Sequence, residues 1–168
     1  FEIPAGASLR EVMAIIHTGR SHQRRLTIIE GKTSADIRRI IADNDHFTGD
    51  ITLETEEGSL LPETYFFTHG TSRDAMLSRM QEKLDMTLAE AWADRAPDLP
   101  YKTPGDALIL ASIIELETAD SEDRREVAGV FVNRLRRRMR LQSDPTVLYG
   151  VDGGEGREIR RSDLKRKT

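Results

Sequence analysis

Residues 1–16 (FEIPAGASLREVMAII) and 26–41 (LTIIEGKTSADIRRII) carry one pattern of apolar and polar positions twice, at a constant offset of 25. Val12, Ile15 and Ile16 match Ile37, Ile40 and Ile41; Gly6 matches Gly31, Ser8 matches Thr33, and Glu11 matches Asp36. Each copy predicts a short strand, a glycine turn and a capped helix. Ser8 with Glu11 has the spacing of a capping box, and Thr33 with Asp36 that of a related helix start. Gly19 suits the end of the first helix. Two copies are too few for a solenoid. They predict a small α+β module, two helices on a minimal sheet, that serves either packing or carbohydrate binding.

Further along, the period changes. Ile51-Thr52-Leu53-Glu54 alternates like a strand, and Tyr65-Phe66-Phe67 suits the core and rim of a sheet. From Thr71 to about Ala96, Met76, Leu77, Met80, Leu84, Leu88 and Trp92 recur at helical spacing and predict a core-facing stripe. Pro97 and Pro100 break that helix. Thr103 as N-cap, Pro104 in the first turn and Asp106 near the positive end of the dipole then start a helix that runs to about Thr118. Asp120-Ser121-Glu122 predicts a turn, followed by a helix to about Met139 whose buried side holds Val127, Val130, Phe131 and Leu135. Arg134 falls near that side, so Asn133 and Arg134 could face the preceding helix. The stretch from Leu141 to Gly150, with Pro145 inside it, reads as extended and rich in hydrogen-bonding groups, a possible cleft wall.

The helix from Thr103 to Thr118 carries the candidate chemistry. At ~100° per residue from Leu110, Ile113 lies at roughly −60°, Ile114 at about +40° and Glu117 at about −20°, whereas Glu115 lies at roughly 140°. Glu117 is therefore expected to point inward with the apolar residues. A carboxyl there would lose solvation of its charged form and hold its proton more tightly, as a general acid must. The alternative for a Glu on an apolar face is a structural carboxylate bound to an Arg or to backbone amides.

Composition narrows the choices. The chain has 168 residues and a net charge of −4, so its overall field does not attract nucleic acid, despite the arginines between Arg124 and Arg140 and a basic end. It contains no cysteine, which excludes disulfides and thiolate chemistry. His17, His22, His46 and His69 are scattered without metal-ligand spacing, and no glycine-rich phosphate loop occurs, so neither metal nor cofactor is expected. No run approaches the ~20 apolar residues of a membrane span. The start at Phe1 and the end within a basic segment read as those of a fragment.

Three blocks then resemble a known family: Ser112-Ile113-Ile114-Glu115-Leu116-Glu117-Thr118; Val130-Phe131-Val132-Asn133-Arg134-Leu135; and Met139 through Gly150 (MRLQSDPTVLYG). Their order and spacing look like the catalytic core of the YceG-like endolytic murein transglycosylases. Leu61-Pro62-Glu63-Thr64-Tyr65 resembles a further block. The resemblance implies a LysM-like, membrane-proximal module over residues 1–50, present in part, and a C-terminally truncated catalytic domain over 51–168. It implies an α+β fold, a βα module followed by a mixed α/β domain with a buried catalytic helix. The second Glu of the first block, Glu117, maps to the catalytic acid. Thr118, Asn133, Gln142, Asp144, Tyr149, Glu63 and Tyr65 are the groups expected to position sugar or substrate.

The implied reaction is cleavage of the β-1,4 bond between N-acetylmuramic acid and N-acetylglucosamine to leave 1,6-anhydro ends, terminating nascent glycan strands, without a cofactor. The implied setting is the periplasmic side of a bacterial inner membrane, reached through a single-pass anchor that this chain lacks. Glycan strands are the implied partner and peptidoglycan synthases possible ones. Two other readings stay open: a lysozyme-type hydrolase using Asp144 or Glu63 to activate water, and a non-catalytic glycan-binding scaffold.

Overall fold

The computed structural model describes residues 1, 3–19, 22–118 and 120–153. The elements in chain order are α1 (Leu9–His17), β1 (Arg24–Thr27), α2 (Ser34–Ala42), β2 (Phe47–Thr48), β3 (Thr64–Phe67), β4 (Thr71–Ser72), α3 (Arg73–Ala93), α4 (Pro104–Glu117), α5 (Arg124–Arg136) and α6 (Asp144–Asp152). This is a mixed helix-and-sheet fold with two small sheets. Packing divides it into two compact units, 1–84 and 85–168, with the division inside α3. No helix of the described residues is long and apolar enough to cross a membrane.

In the first unit, β1 pairs antiparallel with β3, Leu26 opposite Tyr65, and β2 pairs parallel with β4. Alternation along β3 turns Tyr65 and Phe67 inward and Phe66 to solvent. Tyr65 and Phe67 join Leu26, Ile28, Ile37, Ile41, Phe47, Leu60, Met76, Leu77 and Met80 in one core. The predicted stripe of α3 is thus buried over its first half; Leu84 is also buried, while Leu88 and Trp92 are half-buried. Phe47 stacks on Phe67 with ring centroids 4.3 Å apart. The Tyr65 hydroxyl donates to the Leu61 carbonyl at 2.7 Å, and burial, aided by the nearby Glu63 carboxylate, pushes its pKa up to about 12.

Both repeat helices begin with the predicted device. Ser8 and Glu11, and Thr33 and Asp36, form reciprocal capping boxes, preceded by Gly6 and Gly31 at φ 80° and 79°. Hydrogen bonds within each box hold the Glu11 and Asp36 carboxyls below their ordinary pKa, from the Ser8 backbone first and from the Thr33 side chain first, respectively. The first copy nevertheless lacks its strand: Phe1, Ile3 and Pro4 are neither strand nor bridge. Ile51–Glu54 also forms no strand, although Ile51 and Leu53 pack on the core. Its backbone is instead fastened to the Asp74 carboxylate, which accepts from the Thr52 and Leu53 amides at 3.0 Å each.

In the second unit, α4 packs against α5 and α6. Thr103 caps α4 through a complete box with Asp106, and Pro104 occupies its first turn, as expected. The expected burial of this helix is not observed. Among its residues only Leu110 is buried, while Ile109 and Leu116 are exposed. The Leu110, Ile113 and Ile114 face is the more covered one, as the wheel places it, but α5 and α6 cover the helix on one side, so apolar residues elsewhere on it stay exposed. The segment after α5 differs as well. Residues 144–152 are helical rather than extended, because Pro145 sits in the first turn, where its missing N–H and fixed φ are tolerated.

Candidate active site

Glu117 is the last residue of α4, and its side chain is exposed rather than buried. The expectation of a buried acid is therefore corrected: at a helix end, with few neighbours beyond α5 and α6, the carboxyl stays at the surface. Its recorded partner is Ser143, whose hydroxyl donates to Oε2 at 2.6 Å. Among the described residues it has no cationic partner. Glu115, two residues earlier, is half-buried and committed elsewhere: the Arg124 guanidinium at the start of α5 binds its Oε1 at 2.9 Å. The two acids of one block thus have different surroundings, as their divergence on a helix requires.

Around Glu117 the chain is closely fastened. Thr118 ends α4 with its amide donating to the Ile114 carbonyl at 3.2 Å, and its hydroxyl accepts from the Asp120 amide at 3.2 Å. That hydroxyl thus shapes the turn into α5. Arg134 does not reach toward Glu117; its guanidinium donates to the Leu141 carbonyl. Asn133 is exposed on α5. Arg138 and Gln142 adopt the left-handed region at φ 55° and 53°, uncommon for residues other than glycine and a reason to suspect function. Gln142 is exposed, and the next residue, Ser143, is 1% exposed. Asp144 begins α6 and Tyr149 lies on it, both exposed.

Of the expected site residues, α4 with its C-cap, α5, the turn before α6 and α6 itself therefore carry Glu117, Thr118, Asn133, Gln142, Asp144 and Tyr149 within the second unit. Glu63 and Tyr65 lie in the first unit. There Glu63 pairs with Lys83, and the Tyr65 ring is a buried part of the core. Ser143 was not singled out by sequence reasoning. Its signal in the sequence is membership of the Met139–Gly150 block.

The pattern of the YceG-like family matches residues 1–168. The chain belongs to the YceG-like family. An endolytic murein transglycosylase of Streptococcus pneumoniae serotype 2 (strain D39) is 37% identical over 104 residues, covering 61% of this chain and 18% of that protein. The endolytic murein transglycosylase of Bacillus subtilis (strain 168) is 29% identical over 156 residues, covering 89% of this chain and 42% of that protein. The crystal structure of a YceG-like protein from Listeria monocytogenes superposes with a TM-score of 0.59 at 25% identity, over 98% of this chain and 64% of that one. The chain thus spans less than half of either curated relative.

Proposed function

We propose that this YceG-like chain belongs to an endolytic lytic transglycosylase acting on peptidoglycan glycan strands, with Glu117 as the single acid/base. The observation that carries the reading is the state of Glu117: accessible, free of a cationic partner among the described residues, and held through one oxygen only. Its protonated carboxyl gives its proton to the glycosidic oxygen of the departing N-acetylglucosamine as the bond to C1 of N-acetylmuramic acid breaks. Positive charge develops at C1 and the ring oxygen. The resulting carboxylate takes the proton of the muramic acid C6 hydroxyl, and O6 closes on C1. The products are a 1,6-anhydro end and a free 4-hydroxyl, with Glu117 protonated again. No second carboxylate is needed, which agrees with the engagement of Glu115 by Arg124.

Within this reading, Thr118, Asn133, Gln142, Asp144 and Tyr149 position the sugars, and Glu63 and Tyr65 belong to the family's further block. Residues 1–50 correspond to a LysM-like, membrane-proximal module and 51–168 to the catalytic domain. The reaction takes place outside the cytoplasm on a membrane-anchored protein, near peptidoglycan synthases.

Mass spectrometry of the products from purified glycan strands tests the reading. Wild-type full-length protein should produce anhydro-muramic ends, and Glu117→Gln should lower their rate by about 10²–10⁴-fold. Reducing ends in their place would make the protein a hydrolase. A folded protein without either product would be a binding or scaffolding one.

A further inference from the structure

Serine is among the best N-cap residues because its oxygen accepts a backbone N–H of the first helical turn. Ser143 is the N-cap of α6, yet its side chain makes no such bond. Its hydroxyl, 1% exposed as a residue, turns the other way and donates to Glu117 Oε2 at 2.6 Å. We infer that Ser143 is a positioning residue for the reaction: it holds one oxygen of Glu117 as a permanent acceptor, so that the proton transferred to and from the sugar resides on the other. This inference rests on the proposed reaction and adds to it the part that orients the acid.

The surrounding backbone is built to hold that hydroxyl in place. On one side, Arg134 fastens the Leu141 carbonyl. On the other, the Ser143 carbonyl accepts from the Thr146 amide at 3.2 Å and the Thr146 hydroxyl at 2.7 Å. Between them, Gln142 is in the left-handed region at φ 53°, immediately before Ser143. Pro145, in the first turn of α6, has no N–H, so the helix start has one fewer donor needing a cap. The serine is thereby released from capping.

An exposed carboxylate at a helix end samples several rotamers. A buried donor on one of its oxygens restricts them, and misplacement of a reacting group by about 1 Å costs on the order of 10²-fold in rate. The test uses the full-length protein and soluble glycan strands. Ser143→Ala should lower kcat by about 10- to 100-fold with KM changed less than about 2-fold, the signature of an interaction that matters after binding. Ser143→Thr, which keeps the hydroxyl, should restore kcat to within about 3-fold of wild type. A structural serine would move thermal stability, or KM and kcat together, without rescue by Thr. Should Ser143→Ala fail to fold, Ser143→Thr against the near-isosteric Ser143→Val decides, and equal kcat in those two overturns the proposal. Full kcat in Ser143→Ala, with Glu117→Gln inactive, overturns the positioning role alone. Absence of anhydro ends from the wild type overturns the reaction and this role with it.

Discussion

The two copies of the repeat start alike and finish differently. Both have the same glycine turn and a complete capping box, and both helices are nine residues long. In the second copy, Ile37 and Ile41 are 2% and 0% exposed. In the first, no residue of α1 is buried, and Ile16, the counterpart of Ile41, is 48% exposed. The difference lies outside the helices. The second copy's strand β1 finds a partner in β3, and its helix start is tied to a distant loop: the Ser34 hydroxyl donates to the Glu56 carbonyl at 2.9 Å and accepts from the Gly58 amide at 3.1 Å. The first copy has Leu9 at that position, and its residues Phe1, Ile3 and Pro4 join no strand. Local signals therefore set where a helix begins, and non-local pairing sets whether it contributes to a core.

Core truncation is the sharpest way to break the comparison. Ile41→Ala should destabilise the protein by about 2–5 kcal/mol, whereas Ile16→Ala at the matching position should cost well under about 1 kcal/mol. Urea unfolding of the two variants side by side checks this, and equal losses would mean that α1 is covered as α2 is. Next in size is the partner strand that only the second copy has. Tyr65→Phe removes the hydroxyl bonded to Leu61 and should cost about 1 kcal/mol near neutral pH. Since the folded pKa of Tyr65 is raised from 10.0 to about 12, the folded state binds more protons than the unfolded one between those values. Stability should fall as pH rises from 10 toward 12, and the variant should lose this part of the decline when thermal midpoints are compared across that range.

The smallest effects concern the caps. Thr33→Ala should cost about 1 kcal/mol of global stability, while Ser8→Ala, with a similar local penalty, should mainly fray α1. Amide exchange distinguishes the two outcomes. Both carboxyls, Glu11 and Asp36, have lowered folded pKa values. Their contributions are therefore present above the ordinary carboxylate range and vanish as pH falls through the lowered values. Acid titration should accordingly release protection in α1 and α2 over the same window.

Much of this was legible beforehand, and for local reasons. Thr103, Pro104 and Asp106 announce α4 because a capping box is contained within four residues, and Met76, Leu77, Met80 and Leu84 announce α3 because one periodicity governs them. Glu117 is marked by the helical wheel and again by a three-block pattern; the wheel places the Leu110, Ile113 and Ile114 face correctly, but Glu117, as the last residue of α4, lies past the covered part of that face. What stayed hidden was non-local. Tyr65 opposite Leu26 and Ser143 against Glu117 join residues far apart in the chain, and no spacing rule links them. The left-handed turn at Gln142 was hidden too, since glycine, the usual sign of that conformation, is absent there.

The contact between Glu115 and Arg124 has a consequence for how such a protein could be re-engineered. A water-using glycosidase needs a second carboxyl about 5–9 Å from the first, and the acid nearest in sequence, Glu115, diverges from Glu117 on the helix and is already a tether between α4 and α5. Freeing it would loosen the packing of α4 on α5 at the end where Glu117 sits, so the gain of a new acid would come with the loss of aim of the old one. A change of reaction type would have to be imported on another element, while the helix pair is left as it stands.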